Sequence, residues 1–95
     1  MNTDEIRQII EATLPQSRAY ILDPLNDGQH LQAYVVSPAF QDMPLVKQHL
    51  MVMTPLKTAL AESVHALGLK TFTPEKWDTE KWRYGFSDEI TGKKG

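Results

Sequence analysis

The stretch SRAYILDPLNDGQHLQAYVVSP, Ser17 to Pro38, decides the fold. SRAYILD (Ser17 to Asp23) reads as a strand, and PLNDGQ (Pro24 to Gln29) supplies the proline, asparagine and Asp-Gly chemistry of a chain reversal. HLQAYVVS (His30 to Ser37) reads as the returning strand, with Leu31, Ala33 and Val35 on one face and Gln32, Tyr34 and Val36 on the other. Pro38 ends it. A hairpin at this place commits the chain to a sheet, and the elements on either side must then cover that sheet.

Working outward, Ile6, Ile9, Ile10 and Leu14 recur at helical spacing between Thr3 and Leu14, with Asn2 or Thr3 available as the cap and Asp4 and Glu5 near the positive end of the helix dipole. Pro15 disfavours helical geometry in the residue before it and stops that helix by Leu14. After the hairpin and the connector PAFQDM, Leu45, His49, Val52 and Leu56 fall on one helical stripe that Val46, Leu50 and Met53 widen. Pro55 lacks an amide hydrogen and clashes with the preceding turn, which predicts two helices, Pro44 to Thr54 and Pro55 to Ser63. A last strand is expected over Val64 to Phe72, and Thr73-Pro74-Glu75 restarts a helical turn with threonine as cap and proline at the first helical position. Beyond Trp77 the chain is polar and without clear period. The expected order is αββααβ with a final turn: an α+β domain over residues 1–77, three strands with helices on one face, then a polar surface tail over residues 78–95.

Composition narrows the functions open to such a chain. Its 95 residues hold one domain with a modest core; 41% are hydrophobic and 23% charged, as in an ordinary folded globule. A net charge of -2 gives no long-range attraction to a phosphate backbone. No apolar run approaches the roughly 18 residues of a membrane span, and Asp4, Glu5 and Glu11 stand where a signal peptide would be basic and then apolar, so a cytoplasmic location is expected. Cys is absent, which removes disulfides, thiol nucleophiles and thiolate metal sites made by this chain alone.

The three histidines carry the remaining chemistry, since imidazole titrates near pH 6.5 and binds metals. His49 falls on the apolar helical stripe, where a boundary histidine is the simpler reading. His30 and His65 both stand at strand starts, yet no spacing links them as a ligand pair. Ser17, Ser37, Ser63 and Ser87 have no base at a diagnostic spacing, and no phosphate loop, nucleophile elbow or dinucleotide turn occurs. An enzyme is not expected. The element order matches a type II KH domain, but the RNA clamp of such domains needs a Gly-x-x-Gly loop, and the expected helix junction here reads Met53-Thr54-Pro55-Leu56.

VVSPAFQDMPLVKQHLMVMTPLKTAL (Val35 to Leu60), followed by VHALGLKTFTPEKW (Val64 to Trp77), resembles the core signature of the BolA family, and the likeness spans roughly Asp4 to Trp77. DGQHLQAYVVS is similar to the hairpin of the branch that carries histidine in its variable loop. The resemblance implies a KH-like fold without the glycine clamp and an adaptor that docks a monothiol glutaredoxin of the Cys-Gly-Phe-Ser type. In such complexes a 2Fe-2S cluster is shared between the glutaredoxin cysteine, a glutathione thiol and histidine of the BolA partner; the isolated chain would bind none. By position, His65 matches the family's C-terminal histidine ligand, His30 the loop histidine and His49 the helix histidine. Lys47, His49, Lys70, Thr73 and Pro74 are the candidate partner contacts, with Lys47, Lys57 and Lys70 read otherwise as solvated charges.

A chain without thiolates can offer iron only imidazole, so the other ligands must come from elsewhere. Two departures limit the carry-over. Phe40-Gln41-Asp42 replaces a common Phe-x-Gly, which is expected to alter the loop's backbone, and Gln48-His49 replaces Arg-His, which removes a cation. The rival from another class is a nucleic-acid-binding transcriptional regulator, and a homodimer is compatible with either.

Overall fold

The computed structural model describes residues 2–14, 16–60 and 66–86. The elements run α1 (Thr3–Thr13), β1 (Arg18–Leu22), β2 (His30–Val36), α2 (Leu45–Leu60), β3 (Ala66–Phe72) and α3 (Pro74–Glu80), with single 3-10 turns at Pro38–Phe40 and Lys81–Tyr84. The result is an α+β domain: a three-stranded mixed sheet in the order β1-β2-β3. β1 and β2 form the antiparallel hairpin, Arg18 opposite Val36 and Leu22 opposite Gln32. β3 joins β2 in parallel, His30 opposite Ala66 and Phe72 opposite Val36. A parallel neighbour needs a crossover, which α2 supplies.

α1 begins with a capping box. The Asn2 side chain accepts the Glu5 amide at 2.8 Å, and the Asn2 amide donates back to Glu5 Oε1 at 2.9 Å, satisfying two donors that a helix start leaves unpaired. Ile6, Ile10 and Leu14 then bury along one stripe against Ala19, Leu31 and Val35 of the sheet and Val52 and Leu56 of α2. Glu11 ties the helix to the outer strand: its Oε2 accepts the Ala19 amide at 3.0 Å while Oε1 takes Arg7 Nη1 at 2.7 Å. One orphan amide of that edge strand is thereby covered.

The structure corrects the expected break at Pro55, because α2 runs unbroken from Leu45 to Leu60 with Pro55 inside it. A helix-interior proline costs about 3 kcal/mol. Val52 and Leu56 flank it and are fully buried, and burial contributes about 1.5–3 kcal/mol for each such side chain, enough to hold the helix together across the proline. The start of the helix departs from the expected stripe as well. Leu45, Val46 and Leu50 are 61%, 71% and 57% exposed, so the core-facing stripe begins only at Met51 and Val52.

The opposite face of the sheet holds a second, aromatic cluster. Tyr20 stacks on Trp77 with centroids 5.3 Å apart, Phe72 meets Trp77 at 5.0 Å, and Tyr34 meets Tyr84 at 5.0 Å. Gly85 adopts φ 86, a left-handed conformation that costs glycine little, and so turns the chain after the 3-10 segment. Phe86 then lies 5.1 Å from Trp77 and 5.0 Å from Tyr20. Residues 78–86, expected as the start of a polar surface tail, therefore continue α3 and return two aromatic rings to the sheet; residues 87–95 lie outside the described residues.

Candidate functional site

The loop between β1 and β2 is built on two aspartates. Asp23 Oδ1 accepts the Asp27 amide at 3.1 Å and its Oδ2 accepts the Gly28 amide at 2.9 Å, while its carbonyl takes the Asn26 amide at 3.0 Å. Asn26 and Gly28 both have positive φ, 55 and 69. Asparagine tolerates that region and glycine favours it. Asp27 then organises the entry to β2: its Oδ1 accepts the amides of Gln29 at 2.9 Å and His30 at 3.0 Å, and its Oδ2 lies 2.8 Å from His30 Nδ1.

These bonds hold the Asp27 carboxyl at about 2, below its ordinary value, through the Gln29 amide first, then the His30 ring, then the His30 amide. Asp27 is therefore an ionised acceptor over the ordinary pH range, and an ionised carboxylate can only accept. An ionised carboxylate at 2.8 Å calls for a hydrogen donor at His30 Nδ1. The His30 side chain is 46% exposed, and Leu25 in the same loop is 65% exposed, so imidazole and apolar surface lie together at one end of the sheet.

That end is where β3 also starts. His30 is the register partner of Ala66, and β2 and β3 run in the same direction from there. His65 precedes Ala66 in sequence and lies outside the described residues, as does Val64, the expected first residue of the last strand. Among the described residues no group of three or more His, Cys, Asp or Glu side chains could hold a metal ion. The donor set fits a 2Fe-2S cluster only as one part of a shared coordination sphere: imidazole from this chain, and thiolates from other molecules.

The expected partner contacts lie elsewhere. Lys70 is four residues along β3 from Ala66, about 13 Å at strand rise, toward the far end of the sheet. Half-buried His49, Glu80 and Tyr84 line one cleft together with exposed Leu45, Lys70 and Lys76, and Lys70 Nζ sits 5.8 Å above the Tyr84 ring. Lys47 is exposed on α2. Thr73 and Pro74 have a structural use: the Thr73 hydroxyl accepts the Lys76 amide at 3.3 Å and caps α3, and Pro74 opens that helix. The structure thus separates His30 from His49 and Lys70.

The two departures from the family pattern have defined places. Asp42 takes φ 60, the left-handed conformation that glycine adopts freely, so the turn after Phe40 keeps a glycine-type backbone on an aspartate. Gln48 donates from Nε2 to the Met43 carbonyl at 2.7 Å and accepts from the Thr71 hydroxyl, joining loop, helix and β3 without a charge. Two features escape sequence reasoning. The exposure of Leu45, Val46 and Leu50 is hidden because the helix start is apolar on most sides. Asp27 reads in the sequence only as turn chemistry, although its place three residues before His30 is a signal for a side-chain partner.

A family model described as BolA-like protein matches residues 11–76. The acid stress protein IbaG of Escherichia coli K12 is 29% identical over 87 residues, covering 90% of this chain and 100% of that protein. The DNA-binding transcriptional regulator BolA of Haemophilus influenzae is 32% identical over 63 residues, 66% of this chain and 61% of that protein. The solved structure of a BolA homologue from Coxiella burnetii superposes with a TM-score of 0.69 at 33% identity, covering 81% of this chain and 96% of that one. A fold built on the β1–β2 hairpin with a parallel third strand, a histidine opening β2, and matches of this extent together lead to one conclusion: the chain belongs to the BolA-like family.

Proposed function

We propose that this protein is a non-catalytic adaptor that docks a monothiol glutaredoxin and lends imidazole, from His65 and His30, to a 2Fe-2S cluster shared with the glutaredoxin cysteine and glutathione. The observation that carries this reading is the parallel pairing of β2 with β3. It sets His30 against Ala66, and His65 is the next residue back in the sequence. The pairing supplies the condition that two ligands from distant parts of the chain require, namely neighbouring strands that start at the same end. Exposed Leu25 and Leu22 at that end offer apolar surface for docking.

When bound, such a cluster supplies one-electron and iron-transfer chemistry, and imidazole in place of thiolate raises its reduction potential. The part played by this chain is to present neutral imidazole, so assembly weakens as the histidines become protonated. Reconstitution with cluster-loaded monothiol glutaredoxin and glutathione tests the reading. The visible absorption and circular dichroism of the mixed complex should change on adding wild-type protein, and His65→Ala should abolish most of that change. An unaltered spectrum and affinity with His65→Ala would overturn it.

A second reading rests on the Haemophilus relative named as a DNA-binding transcriptional regulator, and on the gathering of Lys70 and Lys76 beside His49 at the far end of the sheet. Binding of this protein to duplex DNA that weakens steeply with salt would favour it.

A further inference from the structure

We infer that Asp27 is a positioning residue that fixes His30 as its Nδ1–H tautomer, so that Nε2 is the ring nitrogen through which His30 coordinates iron. The inference rests on the reading of His30 as a ligand and adds the atom and the residue that selects it. Neutral imidazole has one N–H and one lone pair, and the hydrogen bond at one nitrogen decides which carries which. Asp27 Oδ2 lies 2.8 Å from Nδ1, and a carboxylate there can only accept, so Nδ1 carries the hydrogen and Nε2 the lone pair. The same carboxylate is itself held by the Gln29 and His30 amides at 2.9 and 3.0 Å through its other oxygen, so its position is fixed by the backbone of the residues it serves. Carboxylate on one nitrogen and metal on the other is the general arrangement by which proteins orient imidazole ligands.

Asp27→Asn separates this role from loop building. Asparagine keeps an Oδ1 acceptor for the Gln29 and His30 amides but sets an NH2 group against Nδ1, which now calls for a lone pair at Nδ1 and a hydrogen at Nε2. Long-range proton–nitrogen correlation spectra of the isolated, histidine-labelled protein in mildly alkaline buffer read the two nitrogens directly. In the wild type Nδ1 should have the shift of a protonated pyrrole-type nitrogen and Nε2 that of a pyridine-type nitrogen; in Asp27→Asn the two should exchange character. A wild-type His30 hydrogenated at Nε2, or a variant with unchanged shifts, overturns the inference whatever the complex does.

With cluster-loaded glutaredoxin as the probe, Asp27→Asn should weaken the mixed complex about 10–100-fold, as loss of a ligand's supporting hydrogen bond does elsewhere. His30→Ala should weaken it at least as much. If the tautomer exchanges as expected but His30→Ala leaves the complex unaltered, the ligand reading of His30 fails, and the positioning role falls with it.

Discussion

The two faces of the sheet are covered by different chemistry. On one, Ile6 and Ile10 of α1 and Val52 and Leu56 of α2 close over Val35 and are fully buried. On the other, Tyr20, Tyr34 and Phe72 are covered by Trp77 and by the half-buried Tyr84 and Phe86. The first face is sealed by two helices of 11 and 16 residues. The second is roofed by a 7-residue helix and a 3-10 turn. Aliphatic packing between long elements therefore closes the first face, and the aromatic face has a shorter cover held by ring contacts.

Truncation on the sealed face should have the largest effect. Leu56→Ala leaves a cavity that neither helix can close, and a loss of about 2–5 kcal/mol is expected. Urea unfolding should show it as a lower midpoint with an unchanged slope. On the aromatic face, Phe86→Ala removes a half-exposed ring and its contacts with Tyr20 and Trp77, and about 1–2 kcal/mol is expected. Equal losses from the two substitutions would break the distinction between the faces.

The same contrast explains what is legible in the sequence. The alternation of Leu31, Ala33 and Val35 against Tyr34 and Val36 assigns both faces of β2 from residue order alone, because strand period and burial agree there. The capped start of α1 is legible for a similar reason. The aromatic roof is not, since Tyr84 and Phe86 lie in a polar stretch without period and reach the sheet only through the turn at Gly85. At Pro55 a strong local rule points to a break, and tertiary burial of Val52 and Leu56 overrides it. Of the candidate site, the histidines are legible as residue types; the Asp27 partner is not, because a hydrogen bond between a loop side chain and a strand start leaves no periodic trace.

Pro55→Ala sharpens this account of α2. Alanine restores an amide that can donate to the carbonyl of Met51 and relieves the ring clash, while greater freedom of the unfolded chain and the lost ring packing offset part of the gain. A net stabilisation of about 1 kcal/mol is expected from the same urea measurement. A loss would mean that the helix is shaped around the proline ring.

The smallest effect belongs to a region that neither face stabilises, the loop at the open end of the sheet, where hydrogen bonds act with little burial. The Asp27 carboxyl titrates at about 2 in the folded chain, below the ordinary aspartate value near 4. Unfolding in that interval takes up a proton, so the stability contributed by these bonds is complete above about pH 4 and is lost as pH falls through about 2. The loss is local, because the carboxylate anchors only the amides of Gln29 and His30 and the His30 ring. In an acid titration followed by NMR, those two amides should move with a midpoint near pH 2 while Val35, in the sealed core, stays still until the fold as a whole gives way. A midpoint near 4 for Gln29 and His30 would show that solvent water, and not the loop backbone, solvates the carboxylate. It would also remove the anchor that holds Asp27 against the imidazole.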